Sequence, residues 1–305
     1  MTAAVVFAYH NVGYRCLAVL LAHGIDVKLV VTHRDNPAEH IWFESVAALA
    51  DTQRIPTITP EDPNTAEVLA RVRACAPDLL FSFYYRHMLG ADLLGTAKTA
   101  LNMHGSLLPK YRGRVPVNWA VIRGERETGA SLHHMAIKPD AGDLVDQMAV
   151  PILPDDTAGE VFAKVTVAAE LVLDRQIDAI AAGRAPRRPL DLAAGSYFGG
   201  RKPQDGIIDW SRPANEVHNL VRGVAPPYPG ALTRVGGDNA RVLRTTHRTV
   251  TTRESAGTLF VDGGCLFGAC GDGKALPILD LEVAGARVDA SAFSQRHGPR
   301  LCAAA

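Results

Sequence analysis

The chain has no excess charge of either sign, since Lys and Arg together number 32 and so do Asp and Glu. A balanced chain has no overall attraction for nucleic acid or for an anionic membrane, although it can still carry a local patch of one sign. Hydrophobic residues make up 47% of the 305 residues and charged residues 21%, which is typical of globular proteins with one large or two modest domains. We therefore expect no nucleic-acid partner.

The sequence contains few cysteines, and their spacing does not indicate a disulfide framework. The five cysteines are an odd, scattered set, which is typical of reduced thiols rather than of disulfide bonds. Cys265 and Cys270 have the wrong spacing for a zinc knuckle, and the adjacent pair His133 and His134 lacks further metal ligands. The sequence therefore predicts no metal site.

The chain also lacks three short sequence signals. Its N-terminus has no basic segment followed by a long apolar run, because residues 3–9 are only as long as a strand. We expect neither a signal peptide nor a membrane insertion, and we place the protein in the cytoplasm. The first turn has no G-x-G-x-x-G, so a nicotinamide or flavin cofactor is not indicated.

Apolar runs of strand length alternate with helical patterns through the first part of the chain. Strands are predicted at residues 3–9, 27–31, 55–58, 79–83 and 129–135, with helices at 16–24, 46–50, 68–74 and 117–124. This rhythm predicts an α/β doubly wound domain, which we place at residues 1–200. Residues 10–13 are predicted as a turn, and residues 184–200, rich in Arg, Pro, Gly and Ala, as a linker with solvated cations.

A capping box at residues 157–160 opens a long helix that ends near Gly183. The pattern then changes near residue 203. Short strands separated by glycine turns then follow at residues 231–235, 241–244, 258–261 and 276–279. They predict a small, partly open β-barrel at residues 201–305, with a frayed tail at 302–305.

The most chemically dense stretch is the polar loop at residues 102–114, which follows an apolar run. If residues 99–101 end a strand, the side chains of Asn102 and His104 emerge on the same face. An amide that holds an oxyanion beside an imidazole that moves a proton suits acyl transfer. The pair thus predicts a catalytic centre, although such pairs also occur in ordinary capped turns.

A second loop, residues 136–143, contains a carboxylate of interest. Asp140 lies beside Pro139 and Gly142, so it is either a turn residue or a partner for His104. A carboxylate beside an imidazole fixes its orientation and favours its protonated form. Just before this loop, strand alternation allows only one of His133 and His134 to face the site.

The letters Asn-Met-His-Gly-Ser-Leu-Leu-Pro-Lys-Tyr-Arg-Gly at residues 102–113 resemble the signature of enzymes that take a formyl group from 10-formyltetrahydrofolate. Segments 7–10, 32–37, 81–87, 124–129 and 140–142 resemble one branch in particular. That branch is the formyltransferase half of the bifunctional polymyxin-resistance enzyme, which formylates UDP-4-amino-4-deoxy-L-arabinose. The likeness covers most of the chain, more loosely after about residue 235.

The resemblance implies a Rossmann-like formyltransferase domain followed by an OB-like domain, acting in lipid A biosynthesis as part of lipopolysaccharide modification and antibiotic resistance. Asn102 would stabilise an oxyanion, His104 would relay a proton, and Asp140 would orient His104. The implied contacts to the 10-formyltetrahydrofolate co-substrate come from His87, Met88, Leu89, Arg114, Ala136, Ile137, Lys138, Pro139 and Asp140.

Several alternatives remain open from the sequence. The acceptor can be a dTDP-linked or GDP-linked amino sugar instead of a UDP-linked one, and Lys110 and Arg112 have no assigned role. A methionyl-tRNA formyltransferase would need basic surface, but residues 32–55 offer two arginines against four acidic residues. A non-catalytic folate or sugar-nucleotide binding module would be free to lose one of Asn102, His104 and Asp140. The sequence is also compatible with a homo-oligomer.

Overall fold

The computed structural model describes residues 1–302. Its helices are α1 (His10–Ala22), α2 (Val46–Thr52), α3 (Ala66–Ala74), α4 (Ala91–Leu94), α5 (Pro116–Ile122), α6 (Ala158–Ala181), α7 (Ala214–Val224) and α8 (Ala290–His297). Its strands are β1 (Ala3–Ala8), β2 (Asp26–Val31), β3 (Thr57–Ile58), β4 (Leu79–Phe83), β5 (Thr99–His104), β6 (Arg112–Gly113), β7 (Glu127–His134), β8 (Leu144–Pro151), β9 (Tyr197–Phe198), β10 (Ala231–Val235), β11 (Asp238–Thr245), β12 (Val250–Thr251), β13 (Thr258–Asp262), β14 (Cys265–Ala269), β15 (Lys274–Val283), β16 (Ala286–Arg287) and β17 (Arg300–Cys302).

The chain forms two compact units. The first unit comprises residues 1–116, 128–150 and 163–198, and the second comprises residues 117–127, 151–162 and 199–305, of which the structure describes those up to 302. Within residues 1–302, no helix combines the length and apolar character needed to cross a bilayer. The same residues contain no cluster of three or more His, Cys, Asp or Glu arranged to hold a metal ion.

A seven-stranded sheet in the order β3-β2-β1-β4-β5-β7-β8 organises the first unit. Strands β1 to β5 pair in parallel, and β7 runs antiparallel to β5. The apolar runs of β1 and β4 are buried on both faces, as expected for central strands of a parallel sheet covered by helices. The predicted α/β fold class is confirmed.

The carboxyl ends of the parallel strands meet at one edge of this sheet. Tyr9 follows β1, His33 lies just beyond β2, Tyr84 follows β4, and β5 itself ends at His104. Ligands of open α/β sheets bind at this edge. The topology therefore brings together polar and aromatic residues that are far apart in the sequence.

The turn predicted at residues 10–13 is instead the first turn of α1. Gly13 explains the difference, because a Cβ there would lie 3.1 Å from both the Ala8 Cβ and the Phe83 carbonyl oxygen. The glycine permits close packing of the helix on the sheet and does not mark a turn.

The segment at residues 184–200 is more ordered than a linker. It contains a 3-10 helix (Leu192–Ala194) and β9, which pairs in parallel with β6. Its composition, rich in Arg, Pro, Gly and Ala, did not indicate that it pairs with β6, because two-residue strands carry no detectable periodicity.

The second unit contains an antiparallel sheet in the order β10-β11-β15-β14-β13-β17, with β12 and β16 also paired to β15. Helix α7 contributes Val217, Val221 and Val224 to the core of this unit. The predicted OB-like barrel is confirmed, although β14 and α8 were not expected. The predicted fraying is wrong for Cys302, which pairs with Thr258, and residues 303–305 lie outside the described part.

Candidate active site

Asn102 and His104 end strand β5, and both side chains reach Asp140. The Asn102 Nδ2 lies 3.4 Å from Asp140 Oδ1, and the His104 Nδ1 lies 3.6 Å from the same oxygen. His104 is only 6% exposed. The amide of Asn102 and the imidazole of His104 therefore converge on one carboxylate oxygen of Asp140.

The Asp140 carboxylate is held in its ionised form. Its Oδ2 accepts a 2.9 Å hydrogen bond from the Gly113 N–H. Burial alone would raise the pKa of Asp140, but interactions with His104, His133 and the Gly113 N–H outweigh it and hold the pKa well below its usual range. Asp140 thus presents a negative charge to His104 throughout the neutral range.

Backbone geometry fixes which nitrogen of His104 can exchange a proton. The His104 Nε2 lies 2.8 Å from the carbonyl oxygen of Tyr111. Because a carbonyl oxygen can only accept, Nε2 is the donor in this hydrogen bond. Nδ1, which faces Asp140, is therefore the nitrogen that gains or loses a proton, and the carboxylate stabilises the imidazolium that results.

His133 is the histidine of the adjacent pair that faces this centre, and its contacts were not identified from the sequence. Its Nδ1 donates to the carbonyl oxygen of His134 over 2.8 Å, and its Nε2 lies 3.0 Å from the Asn102 Nδ2 and 3.5 Å from Asp140 Oδ1. His134 instead contacts the carbonyl oxygen of Pro186. Strand alternation predicted that one of the two would face the site without showing which one.

These contacts orient the amide of Asn102. Its bond to His133 is short, whereas its 3.4 Å contact with Asp140 is long for a hydrogen bond. The second amide hydrogen is thus the one available to an oxygen atom that develops negative charge nearby.

The loop that follows β5 is held by internal hydrogen bonds. Ser131 donates to the carbonyl oxygen of Ser106 over 2.6 Å and accepts from the Leu108 N–H at 3.1 Å. Ser106 in turn donates to the carbonyl oxygen of Lys110 over 2.6 Å. This polar loop is therefore preorganised, which a catalytic constellation requires.

The small β6–β9 sheet supports the next part of the loop. The Tyr111 N–H donates to the Ser196 Oγ over 2.8 Å, and the rings of Tyr111 and Phe198 stack with centroids 5.1 Å apart. Gly113 has φ 101°, and a Cβ there would collide with the Phe198 carbonyl oxygen. The segment predicted as a linker from the sequence thus positions the Tyr111 carbonyl and the Gly113 N–H, which contact His104 and Asp140.

The two segments implied to contact a folate lie beside the same hydrophobic cluster. Leu89 belongs to this cluster, and Met135, which immediately precedes residues 136–139, packs against it. His87 is exposed, and Met88 and Ile137 expose 54% and 65% of their surface. Exposed apolar side chains of this size offer contact area to a ligand.

The cations of the loop differ in their surroundings. Arg114 and Lys110 are exposed, and the Arg114 N–H donates to the Phe198 carbonyl oxygen. Arg112 is buried, and its Nε–H has no hydrogen-bond partner among the residues described. The position of Arg112 in a polar loop indicates a solvated cation, but the side chain is buried.

Aromatic rings fill the sheet edge next to these residues. His10 stacks on Phe43 with centroids 4.0 Å apart, and His33 stacks on Tyr85 at 4.2 Å. Burial lowers the pKa of His10 to about 3 and that of His33 to about 4, so both rings are neutral near pH 7. Arg86 lies over the Tyr9 ring at 4.8 Å and pairs with Glu39.

Solved structures with a similar fold include three that were determined with a folate compound. The N-formyltransferase from Helicobacter canadensis in complex with folinic acid and dTDP-3-aminofucose is 18% identical, with a TM-score of 0.70 over 91% of this chain and 99% of its own. WlaRD, a sugar 3N-formyl transferase in the presence of dTDP and 5-N-formyl-THF, is also 18% identical, with a TM-score of 0.69 over 94% and 99%. HypX from Aquifex aeolicus in complex with tetrahydrofolic acid is 16% identical, with a TM-score of 0.64 over 95% and 46%. At these identities the likeness concerns the fold.

Two family models match the chain itself. The model described as formyl transferase matches residues 15–177, and the model described as formyl transferase, C-terminal domain, matches residues 201–298. The first range includes Asn102, His104 and Asp140, and the second includes most of the antiparallel barrel. The chain therefore belongs to the formyl transferase family.

Proposed function

We propose that this formyltransferase moves the formyl group of 10-formyltetrahydrofolate to the 4-amino group of a nucleotide-linked amino sugar, with UDP-4-amino-4-deoxy-L-arabinose as the acceptor. The observation that carries the proposal is that the side-chain nitrogens of Asn102 and His104 both lie within 3.6 Å of one Asp140 carboxylate oxygen. With that acceptor, the reaction would be the formylation step of a lipid A modification that confers polymyxin resistance.

The chemistry needs one nucleophile, one leaving group and one proton carrier. The sugar amine attacks the formyl carbon, and the carbonyl oxygen becomes an oxyanion that accepts a hydrogen bond from the Asn102 amide. His104 takes the amine proton at Nδ1 and delivers it to the leaving N10 of the folate. The bond between the formyl carbon and N10 then breaks, which releases the formamide and tetrahydrofolate without a covalent enzyme intermediate.

The protein supplies an ordered charge distribution for these steps. The Asp140 carboxylate stabilises the transient imidazolium, and the Tyr111 carbonyl keeps Nε2 protonated so that only Nδ1 exchanges. Removing one oxyanion donor typically costs about 3 to 4 kcal/mol of transition-state stabilisation. We thus assign catalytic roles to Asn102 and His104, and a positioning and electrostatic role to Asp140.

The proposal for the co-substrate draws on the exposed segments beside the site. Met88 and Ile137 present apolar surface for a pterin, and the backbone of residues 87–89 and 136–139 offers donors and acceptors at its rim. Arg114 is exposed and can meet the glutamate carboxylates. The structures similar in fold were determined with folinic acid, 5-N-formyl-THF or tetrahydrofolic acid.

A second kind of nucleotide-linked sugar is also a candidate acceptor. The sequence segments resemble a UDP-sugar enzyme, whereas a structure of similar fold was determined with dTDP-3-aminofucose. The half-buried Trp42 and Phe43 at the sheet edge offer a stacking surface for either pyrimidine base. A dTDP-linked amino sugar is therefore the alternative, with the same mechanism.

Two further assignments accompany this function. We place the boundary between the catalytic and the OB-like domain at residues 200 and 201, and we place the enzyme in the cytoplasm, where its co-substrate and nucleotide sugars are made. It needs a nucleotide-sugar substrate, and its site requires no nucleic acid.

The test is an assay of tetrahydrofolate release from 10-formyltetrahydrofolate with three kinds of acceptor run in parallel: the UDP-linked sugar, dTDP-linked 3-amino and 4-amino sugars, and methionyl-tRNA. We expect turnover with the UDP-linked sugar. Turnover with a dTDP-linked sugar alone would retain the mechanism and replace the acceptor. Turnover with methionyl-tRNA alone, or folate binding without turnover on any acceptor, would overturn the proposal.

A further inference from the structure

The second unit contains a cavity that the formyl transfer does not use. It has a volume of about 490 Å³, and all of its lining residues belong to that unit. The charged and histidine side chains of the lining are Glu125, Arg126, His218, Arg222, His247 and Lys274. Three permanent cations thus face a single carboxylate side chain among the described lining residues.

Helix α7 presents a polar face to this cavity. Asn215, His218, Asn219 and Arg222 line it, and their spacing of three, four and seven residues places them on one side of the helix. The opposite side of α7 packs into the hydrophobic core. A polar helical face normally meets water, but His218 and Arg222 are only 3% and 6% exposed. The helix therefore buries two of its polar side chains, His218 and Arg222, beside a cavity that is open to solvent.

Arg222 is a buried cation whose hydrogen bonds go to neutral oxygen atoms. Its Nε donates to the Asn219 Oδ1 over 2.9 Å, and one terminal nitrogen donates to the carbonyl oxygens of Leu153 and Asp156, both at 3.2 Å. Burial lowers the pKa of Arg222, although the charges of Asp156 and Asp155 partly offset this effect. These contacts hold the guanidinium in place, and none of them is made to a carboxylate.

The Asp155 carboxylate, which follows the lining residue Pro154, is already engaged. Asp155 accepts from the His247 Nδ1 over 2.8 Å, from the His247 N–H over 2.8 Å and from the Thr246 hydroxyl over 3.3 Å. His218 donates through Nε2 to the Pro154 carbonyl oxygen, and its Nδ1 contacts the Thr245 hydroxyl. The lining histidines are therefore fixed, and Asp155 is satisfied without Arg222.

Two exposed cations extend the positive surface. Arg126 and Lys274 both line the cavity and are exposed to solvent. Lys274 has an acidic neighbour, Asp272, at 3.7 Å, which is a loose pair at the surface. A cation at depth and two at the rim match an anion that enters from solvent.

We propose that this cavity binds a small phosphorylated compound, with its phosphate between Arg222, Arg126 and Lys274. Arginine and lysine together suit a phosphate, because guanidinium groups bind its oxygens in pairs and an ammonium group adds a compact charge. The volume exceeds what one phosphate fills, and the apolar Ile152 and Leu276 in the lining accommodate the remainder of a small organic phosphate. The site is separate from Asn102, His104 and Asp140, which belong to the first unit.

The experiment uses the full chain and inorganic pyrophosphate as the probe, titrated by calorimetry in a phosphate-free buffer of low ionic strength. The double variant Arg126→Ala/Lys274→Ala removes two exposed cations of the lining. The control Arg253→Ala/Arg296→Ala removes two cations of the same unit that lie outside it. We expect the first variant to weaken binding at least about tenfold and the control to bind like the wild type.

A local readout separates this cavity from any phosphate site near the catalytic residues. The ring C–H resonances of His247 are identified in NMR spectra by their loss in His247→Gln. We expect pyrophosphate to shift them in the wild type and to leave them unmoved in Arg126→Ala/Lys274→Ala. Equal affinity of the cavity and control variants, or resonances of His247 that do not respond to saturating pyrophosphate, would overturn the proposal.

Discussion

His133 connects the backbone of β7 to the amide of Asn102. Its Nδ1 is fixed by the His134 carbonyl oxygen, and its Nε2 lies 3.0 Å from the Asn102 Nδ2. The ring is only 2% exposed, so it cannot rotate away into solvent. A side chain placed in this way determines which hydrogen of the amide remains for the substrate.

The variant His133→Ala tests this positioning role. Without the ring, the Asn102 amide loses its fixed orientation, so we expect kcat to fall roughly tenfold, which corresponds to about 1.4 kcal/mol. The KM for the folate should change little, because His133 lies behind Asn102. Steady-state kinetics on both substrates measure this separation. An unchanged kcat in a folded variant would exclude the role.

Asp140→Asn gives a prediction for stability as a function of pH. The pKa of Asp140 is lower in the folded chain than in the unfolded chain. Its stabilising contribution is therefore complete above the unfolded value of about 3.9 and is lost as pH falls through the folded value. We expect the wild type to exceed Asp140→Asn by about 2 kcal/mol in free energy of unfolding near neutral pH.

Urea titrations of both proteins at a series of pH values measure this difference. The gap should be largest from about pH 5 to 7 and should shrink below about pH 4. A gap that grows on acidification would show that Asp140 is not held as a carboxylate.

At this scale the sequence identified the residue types but not their contacts. Strand periodicity predicts that Asn102 and His104 emerge on the same face, and the sequence offers Asp140 as a carboxylate partner for His104. The choice of His133 over His134, by contrast, depends on the register between β5 and β7, in which Asn102 pairs with His133. Strand register of this kind follows from long-range contacts and not from a local pattern.

Among the elements, the β6–β9 pair has a larger role than its length indicates. Two residues on each side link the catalytic loop to residues 196–198 and hold the Gly113 N–H against Asp140. The register places Gly113 opposite Phe198, where backbones approach too closely for a side chain.

Gly113→Ala is predicted to disrupt this pair. The new Cβ would collide with the Phe198 carbonyl oxygen at a backbone φ that disfavours it, so we expect a loss of about 1 to 3 kcal/mol in stability together with a lower kcat. The matched control is Gly183→Ala, because Gly183 also has a positive φ but a Cβ added there would meet nothing within 4 Å. Thermal unfolding and turnover of both variants provide the comparison. Equal losses in the two variants would mean that backbone strain alone, and not the contact with Phe198, explains the effect.

The elements predicted best from the sequence are those with a strong apolar pattern. Strands β1, β4 and β10 lie where the sequence placed them, because their hydrophobic runs are buried. The start of α1 differs from the prediction because its first turn contains polar residues and Gly13, which are typical of turns, and β9 escapes detection because it has only two residues. Both elements are fixed by contacts with neighbouring segments and not by their own composition.

For the molecule as a whole, the charge balance makes a prediction about nucleic acid. Residues 32–55 contain two arginines against four acidic residues, and Arg86, which pairs with Glu39 of this segment, is not available to a phosphate backbone. We expect tRNA to bind no more tightly than about 10⁻⁴ M at physiological salt. Filter binding across a range of salt concentrations measures this affinity. Micromolar binding that weakens steeply with salt would contradict the assignment of a small-molecule acceptor.

The measurement closest to the central claim is single-turnover formyl transfer by His104→Ala, with His134→Ala as the control in the adjacent pair of histidines. His104 contacts Asp140, whereas His134 contacts the Pro186 carbonyl oxygen. We predict that His104→Ala binds 10-formyltetrahydrofolate normally but transfers the formyl group about 10² to 10⁴ times more slowly, while His134→Ala remains active. Transfer by His104→Ala at the wild-type rate would contradict the account of the site.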